Sequence, residues 1–277
     1  MGKKRENGEE YFNSYYEKIY GERWKALKEA LLEQTKSAFI SHEGYPEYYL
    51  DAGSIASVCA LPLSQARSIL DLCAAPGGKT LVISLLMNDN AHVTANELSS
   101  DRRTRLLKVI SQHVPEHIRC SITVTPFDGS VLCRKKNNAF DAILLDAPCS
   151  SERHVLTSQT HLDQWTKARI RNLTYTQWSL LSSAFLMLKP DGYMVYSTCA
   201  LAPDENDGVI DKLCKKYSDA EIVSIQSGEI ISNVCRLTGE NFQLLPEKTR
   251  YGLHILPDTS MGCGPLFFCL IKKRNIS

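Results

Sequence analysis

Ten cysteines are scattered through the 277-residue chain, and the closest pair lies six positions apart. That spacing excludes CxxC redox pairs and zinc-finger ligand sets. Several sit inside apolar runs, as Cys269 does in FFCLI, where a thiol behaves as a small hydrophobe. Two differ: Cys149 and Cys199 follow directly on apolar runs, in DAILLDAPCS and GYMVYSTC. A thiolate is a strong nucleophile, and pockets open where strands end, so both thiols are placed for covalent chemistry if the two runs are neighbouring strands. A second reactive-looking set is the turn Cys73-Ala74-Ala75-Pro76-Gly77-Gly78-Lys79-Thr80 with the carboxylates Glu97, Asp128 and Asp146.

The elements that must hold these residues read as an alternation. SILDLCA (68–74), HVTANE (92–97), SITVT (121–125), FDAILLD (140–146), GYMVYST (192–198), EIVSI (221–225) and LFFCLIKK (266–273) are short apolar runs. Helical patterns such as DRRTRLLKVISQ (101–112) and TYTQWSLLSSAFLML (174–188) separate them. Buried strands alternating with helices imply an α/β fold with a doubly wound, mostly parallel, seven-stranded sheet. Ahead of it, residues 1–10 read as a charged tail, and 11–34 as two short amphipathic helices parted by Gly21. These helices cap a larger core or form a substrate-facing arm. A tyrosine-rich segment then ends in a short apolar helix before Leu61-Pro62. The division expected is a tail and helical extension over 1–60 and one catalytic-type domain over 61–277.

The turn after the first strand has two glycines and opens a helix, so its backbone can approach a ligand closely. A Walker A loop needs glycine where this chain has Cys73, and a dinucleotide fingerprint ending at Gly78 needs glycines at Cys73 and Ala75. A ligand-free Gly-Gly turn is the remaining plain reading. The carboxylates count against it: Glu97 ends the second strand, where an acid accepts from both ribose hydroxyls of a nucleoside, Asp128 can meet an adenine amino group, and Asp146 ends the fourth. Four sites on successive strand ends form one rim. The arrangement resembles a class I, Rossmann-like, S-adenosylmethionine (SAM) methyltransferase.

Within that class, enzymes acting on base amino groups carry a second proline where this chain has Cys149. A thiol suits a different target. Carbon 5 of cytosine takes a methyl group only after a thiolate adds at carbon 6 and turns the ring into an enamine. LDLCAAPGGKT (70–80), NELSSDRRTRL (96–106), DAPCSSERH (146–154) and YSTCALAPDEN (196–206) together resemble the Sun-family (Fmu-type) RNA 5-methylcytosine methyltransferases, from about Tyr48 onward. The resemblance implies that Cys199 is the nucleophile and that Cys149 assists product release. It implies SAM contacts from Cys73 through Lys79 and from Glu97, Arg102, Asp128 and Asp146, with Lys79 and Asp146 also arranging the cytosine. One departure stands out: family members continue Pro-Cys-Ser with Gly-Thr-Gly, whereas this chain has Ser151-Glu152-Arg153-His154. That variant is similar to the compact mitochondrial branch.

Lys+Arg (32) and Asp+Glu (31) nearly cancel, so an RNA contact must come from local patches such as Arg134-Lys135-Lys136 or Lys167-Arg169-Arg171 rather than from overall charge. The chain start has no apolar signal core and no run is long enough to span a bilayer, so a cytoplasmic protein with no membrane partner is expected. RNA is the implied partner, ribosomal before transfer RNA, with a helper protein or ribosomal particle presenting it to a monomer. His154 and His161 are loop bases by position, and Trp165 and Trp178 are core candidates. Two further classes stay open: a catalytically silent RNA-binding or assembly factor on this scaffold, and a DNA cytosine methyltransferase that would attack with Cys149.

Overall fold

The computed structural model describes residues 8–35 and 37–276, the side chain of His42 excepted. Residues 1–7 of the expected tail lie outside the described residues. Its last two, Glu9 and Glu10, already form the first turn of a helix, where carboxylates meet the positive end of the helix dipole. Helices α1 (Glu9–Tyr20) and α2 (Arg23–Leu32) follow, broken at Gly21. A hairpin of β1 (Ser37–His42) and β2 (Tyr45–Asp51) leads into α3 (Ala52–Cys59). The hairpin escapes sequence reading because β2 is exposed on both faces over much of its length, which leaves no period-two signal.

The alternating part runs β3 (Ser68–Asp71), α4 (Gly78–Leu86), β4 (His92–Asn96), α5 (Ser100–His113), α6 (Glu116–Arg119) and β5 (Ile122–Thr125). It continues through β6 (Phe140–Asp146), α7 (Glu152–Leu156), α8 (Gln159–Asp163), α9 (Lys167–Met187), β7 (Leu188–Thr198), α10 (Asp207–Lys216) and β8 (Ala220–Val223). The chain closes with α11 (Ser227–Thr238), β9 (Glu247–Lys248), β10 (Leu253–Ile255) and β11 (Leu266–Lys273). Helix α9 begins well before residue 174, because its first turns are polar and bury only Ile170.

The strands form one sheet in the order β5-β4-β3-β6-β7-β11-β10-β9, with β8 also paired to β11. The first five are mutually parallel, and β11 runs antiparallel to β7. All seven expected runs are in the sheet. It nevertheless has nine strands, because β9 and β10, two and three residues long, are too short to show a pattern. Strand β10 takes the outer edge of β11 over Leu266–Phe268 with β9 outside it, and β8 takes that edge from Leu270 onward, so no long edge of β11 is left bare there.

Alternate residues of each central strand enter different cores. Ala142 and Leu144 of β6 pack with α3, α4 and α11, whereas Ile143 and Leu145 pack with α9 and α10. Burial on both faces is why these strands read as continuous apolar runs. Helix α3 shares the first core through Ile55, Ala56 and Val58. The helices α1 and α2 make a third core of Phe12, Tyr16, Trp24 and Leu27 against Trp165, Ile170 and Leu201, so they cap the molecule beside the strand ends. Trp165 is fully buried there, while Trp178 is half-buried beneath Lys216. Among the described residues no helix is long and apolar enough to cross a membrane.

The turn from β3 to α4 depends on Gly77, which sits at φ +119°, where a Cβ would lie 3.0 Å from Val109 of α5. Gly77→Ala is expected to lower stability by about 2 kcal/mol through strain and crowding together. Urea denaturation with an unchanged midpoint would contradict that account of the turn.

Candidate active site

Parallel pairing of β6 with β7 sets Asp146 opposite Ser197, so the thiols of Cys149 and Cys199 leave adjacent strand ends at nearly the same height. Their sulfurs are 2.9 Å apart. Ser151 adds its hydroxyl at 3.2 Å from Cys199 and 3.6 Å from Cys149. The Cys149 thiol donating to Cys199 holds Cys199 below the ordinary thiol range, against the upward push of burial and with help from Ser151. The same hydrogen bond, joined by burial, drives Cys149 well above that range. Two chemically identical groups are thus pushed apart, Cys199 toward the thiolate and Cys149 toward the thiol. Burial keeps the nearby Cys73 protonated.

Beside them, Lys79 from the first turn of α4 reaches Asp146 at 2.8 Å and Ser54 at 3.2 Å, and Ser197 donates to the other Asp146 oxygen at 2.9 Å. Burial works to lower the Lys79 ammonium, but the Asp146 carboxylate outweighs it and holds the group above its usual value. Asp71, beneath the turn, is fully buried; burial pushes it up to about 7, and Thr80 donates to one of its oxygens at 2.7 Å.

A cavity of about 830 Å³ opens in front of the strand ends and is bordered by both thiols and by Cys73, Glu97, Arg102 and Asp128. A smaller one of about 110 Å³, which shares Cys73 and Asp146 with it, is lined by Ala74, Ala75, Pro76, Gly78 and Lys79. Gly77 lines neither and faces α5 instead. Arg102 donates to the Ala75 carbonyl at 2.8 Å and pairs with Glu97 at 3.2 Å, so it acts on the turn and the carboxylate together. Glu97 is buried; Ser99 N–H donates to its Oε1 at 2.9 Å, while its Oε2 receives no hydrogen bond from the described residues. That oxygen is the one paired with the Arg102 guanidinium. A carboxylate oxygen at a cavity edge with no hydrogen bond of its own among the described residues fits a ligand that brings hydroxyl donors. Asp128 is exposed at the rim and uses one oxygen to accept from Ser130 N–H and Oγ–H.

The family described as 16S rRNA methyltransferase RsmB/F matches residues 58–255, which include both thiols, the turn and every carboxylate above. The chain belongs to this family. Among relatives, 5-cytosine rRNA methyltransferase NSUN4 of Mus musculus is 34% identical over 235 residues, covering 83% of this chain and 61% of the relative. A mitochondrial tRNA (cytosine(34)-C(5))-methyltransferase of Danio rerio is 34% identical over 236 residues, covering 84% and 62%. The chain therefore spans somewhat over three fifths of the length of these relatives. The fold is that of NSun6 from Pyrococcus horikoshii, solved with SFG, a SAM analogue (TM-score 0.66, 21% identity, 83% of this chain and 53% of that one). A methyltransferase homologue from Pyrococcus horikoshii superposes at TM-score 0.69 with 22% identity, covering 95% of this chain and 94% of that one.

Several residues of this RsmB/F-family site lie outside the sequence reading. Asn96, the residue before Glu97, donates to Leu72 O and Phe127 O and accepts from Thr125 Oγ and Phe127 N–H, tying three strand ends together. Leu98 and Phe127 stay 61% and 42% exposed at the cavity rim, the apolar pair that a flat base would cover. A large apolar residue directly after a strand-end acid was the available signal for Leu98. Ser151 gave no signal, since its role depends on a left-handed backbone at φ 54°. His154 and His161 pack their rings against each other 4.9 Å apart and line neither cavity, so they are not bases for the thiols.

Iodoacetamide is expected to modify Cys199 before Cys149, with a midpoint below the ordinary thiol value and a rate that falls as pH drops through it. Ser151→Gly, which removes the hydroxyl and relieves the positive φ, should cut the Cys199 thiolate population about fivefold. Site-resolved mass spectrometry in which Cys149 reacted first would refute the assigned polarity.

Proposed function

We propose that the protein transfers a methyl group from SAM to carbon 5 of a cytosine in RNA, with Cys199 as nucleophile and ribosomal RNA as the substrate. The observation that carries this reading is the hydrogen-bonded pair of opposed thiols at the mouth of a cavity whose far wall presents Glu97. A volume near 830 Å³ lies within the range of about 300–1,000 Å³ usual for small-ligand sites, so it suits a nucleoside cofactor with a base beside it. Glu97 would accept from the ribose hydroxyls and Asp128 from the adenine amino group, and Leu98 and Phe127 offer apolar surface to the base. Bound SAM supplies an electrophilic methyl group.

The chain's own residues do the rest. The Cys199 thiolate forms a bond to carbon 6 while the ring takes a proton at N3, and the Lys79–Asp146 pair holds that edge of the cytosine. Carbon 5, now nucleophilic, accepts the methyl group and keeps its hydrogen until a base removes it. Loss of that proton forms the C5–C6 double bond, breaks the C6–S bond and returns Cys199 as the leaving group, while N3 gives back the proton it took on addition. Cys149, hydrogen-bonded to that sulfur, assists this second half. Relatives named for rRNA and for tRNA support RNA as substrate class. A net charge of +1 gives little overall attraction to RNA, which favours presentation of the RNA to the protein, taken as a monomer, by a ribosomal particle or helper protein.

Cys199→Ala is expected to abolish methylation and to form no covalent RNA adduct. Cys149→Ala should still add to the ring yet fail to release it, leaving an SDS-resistant protein–RNA band in the presence of SAM. The reverse pattern would make Cys149 the nucleophile, and absence of methyl transfer from labelled SAM into any RNA would leave a silent binding factor. Glu97→Ala should weaken SAM binding about 10- to 150-fold, because a buried charged acceptor is lost. Asp128→Ala should cost less, since Asp128 is exposed. Calorimetry with wild-type affinity for Glu97→Ala would remove the cofactor assignment.

A further inference from the structure

Glu152, the first residue of α7, is a fully buried carboxylate two positions past Ser150 and outside both cavities. Its Oε1 accepts from Ser150 Oγ, next to Cys149, and from the hydroxyl of Tyr16 in α1. Its Oε2 accepts from the backbone N–H of Leu201 at 2.9 Å, two residues past Cys199. One carboxylate therefore holds both thiol-bearing loops. The other polar group of Leu201 is taken as well, since Tyr20 of α1 donates to its carbonyl at 2.8 Å. Leu201 is fully buried, and unpaired backbone groups there would be costly. Burial keeps the Tyr16 hydroxyl protonated, so it stays a donor to Glu152.

From this geometry we infer that Glu152, braced by Tyr16 and Tyr20 of the N-terminal helix, is a positioning residue that sets the spacing between the Cys149 and Cys199 loops. The inference rests on the proposed role of Cys199 and gives the Ser-Glu-Arg-His departure a function. Arg153 completes the brace: it donates to Leu31 O at the end of α2 and to Gly262 O and Gly264 O, fixing α7 between the N-terminal helices and the loop before β11. The Ser151 hydroxyl that contacts both sulfurs stands between Ser150 and Glu152, so the carboxylate's hold on Ser150 also fixes that hydroxyl. Removing the brace leaves Ser150 held by its N–H to Glu205, and leaves the thiol contacts themselves as the links between the loop tips.

The test uses the full chain without RNA. Cys199 alkylation is followed across the thiol titration range for Glu152→Leu, Glu152→Gln and the double variant Tyr16→Phe/Tyr20→Phe, with SAM binding as the check on folding. Glu152→Leu and the tyrosine double variant should lose about tenfold of the Cys199 thiolate at neutral pH, with SAM affinity within about twofold of wild type. Glu152→Gln should recover most of the thiolate, because its amide oxygen still accepts from Leu201 while the Tyr16 and Ser150 hydroxyls can turn to accept from its NH2. In methylation assays the loss should fall on kcat and leave KM for RNA unchanged. A Cys199 midpoint unmoved in a SAM-binding Glu152→Leu protein overturns the inference. Should Glu152→Leu fail to fold, an unmoved midpoint in the tyrosine double variant overturns it equally. A shifted midpoint in a protein that methylates no RNA would uphold the brace and refute the proposed function instead.

Discussion

Two sulfurs held 2.9 Å apart without a bond between them are the constraint on which this molecule is organised. A disulfide would bring them to about 2 Å and end the chemistry, whereas loops that drifted beyond hydrogen-bonding reach would remove the contact that distinguishes them. Keeping that interval requires two parallel strands in fixed register, β6 and β7, and loops that cannot drift after the ladder ends. The ladder supplies the first: Asp146 opposite Ser197, extended by the Ala147 N–H donating to Ser197 O at 2.9 Å. Side-chain hydrogen bonds supply the second.

Those bonds converge on two buried carboxylates around Ser150. Glu152 takes its hydroxyl, and Glu205 accepts from its N–H at 2.9 Å and from Gln177 at 2.8 Å, while Gln177 also donates to Pro148 O. Two acids so close repel each other. Burial, and after it the charge of Glu152, push Glu205 up to about 7. A carboxyl whose folded value lies above its unfolded one is most favourable to folding when protonated. Its contribution therefore diminishes as pH rises from the unfolded carboxylate range through 7. An apolar replacement could pack the same volume more cheaply, but it could not accept from Ser150 and Leu201, and both loops would lose their anchors.

What was readable in the sequence follows from this division of labour. The outer strands β4, β5 and β8 were readable because they are short and rich in β-branched residues between helical patterns. The central strands were readable because both faces are buried and the run is nearly all apolar, as in FDAILLD. The two thiols were readable because each ends such a run. Glu97, Asp146 and Lys79 were readable as positions, and the structure brings Lys79 and Asp146 together beside the thiols as one ion pair. Ser151, Asn96 and Glu152 were not. Each acts through groups brought near from distant parts of the chain, as Ser151 does with the Cys199 sulfur and Glu152 with the Leu201 N–H, 49 positions away. No local period or spacing encodes a contact of that kind. The hairpin of β1 and β2 went unread for a different reason, since among the described side chains β1 buries only Ala38 and Ile40, and β2 is exposed at three of its seven residues.

The N-terminal helices join these two halves of the argument. By packing alone they are a cap, since Phe12, Trp24 and Leu27 fill an apolar layer against Trp165. A cap of that kind needs no hydroxyls on its buried face, and phenylalanine would fill the space of Tyr16 and Tyr20 with no polar group to satisfy. Arg23 at the start of α2 adds contacts to both Glu247 and Asp258, which fixes the helix pair to the far end of the chain as well. Rigidity supplied at both ends of α1 and α2 is what allows a hydroxyl on one of them to define a position at the catalytic loop. The cap and the site are therefore one mechanical unit, in which the spacing of two reactive sulfurs is set by helices that never touch the substrate cavity.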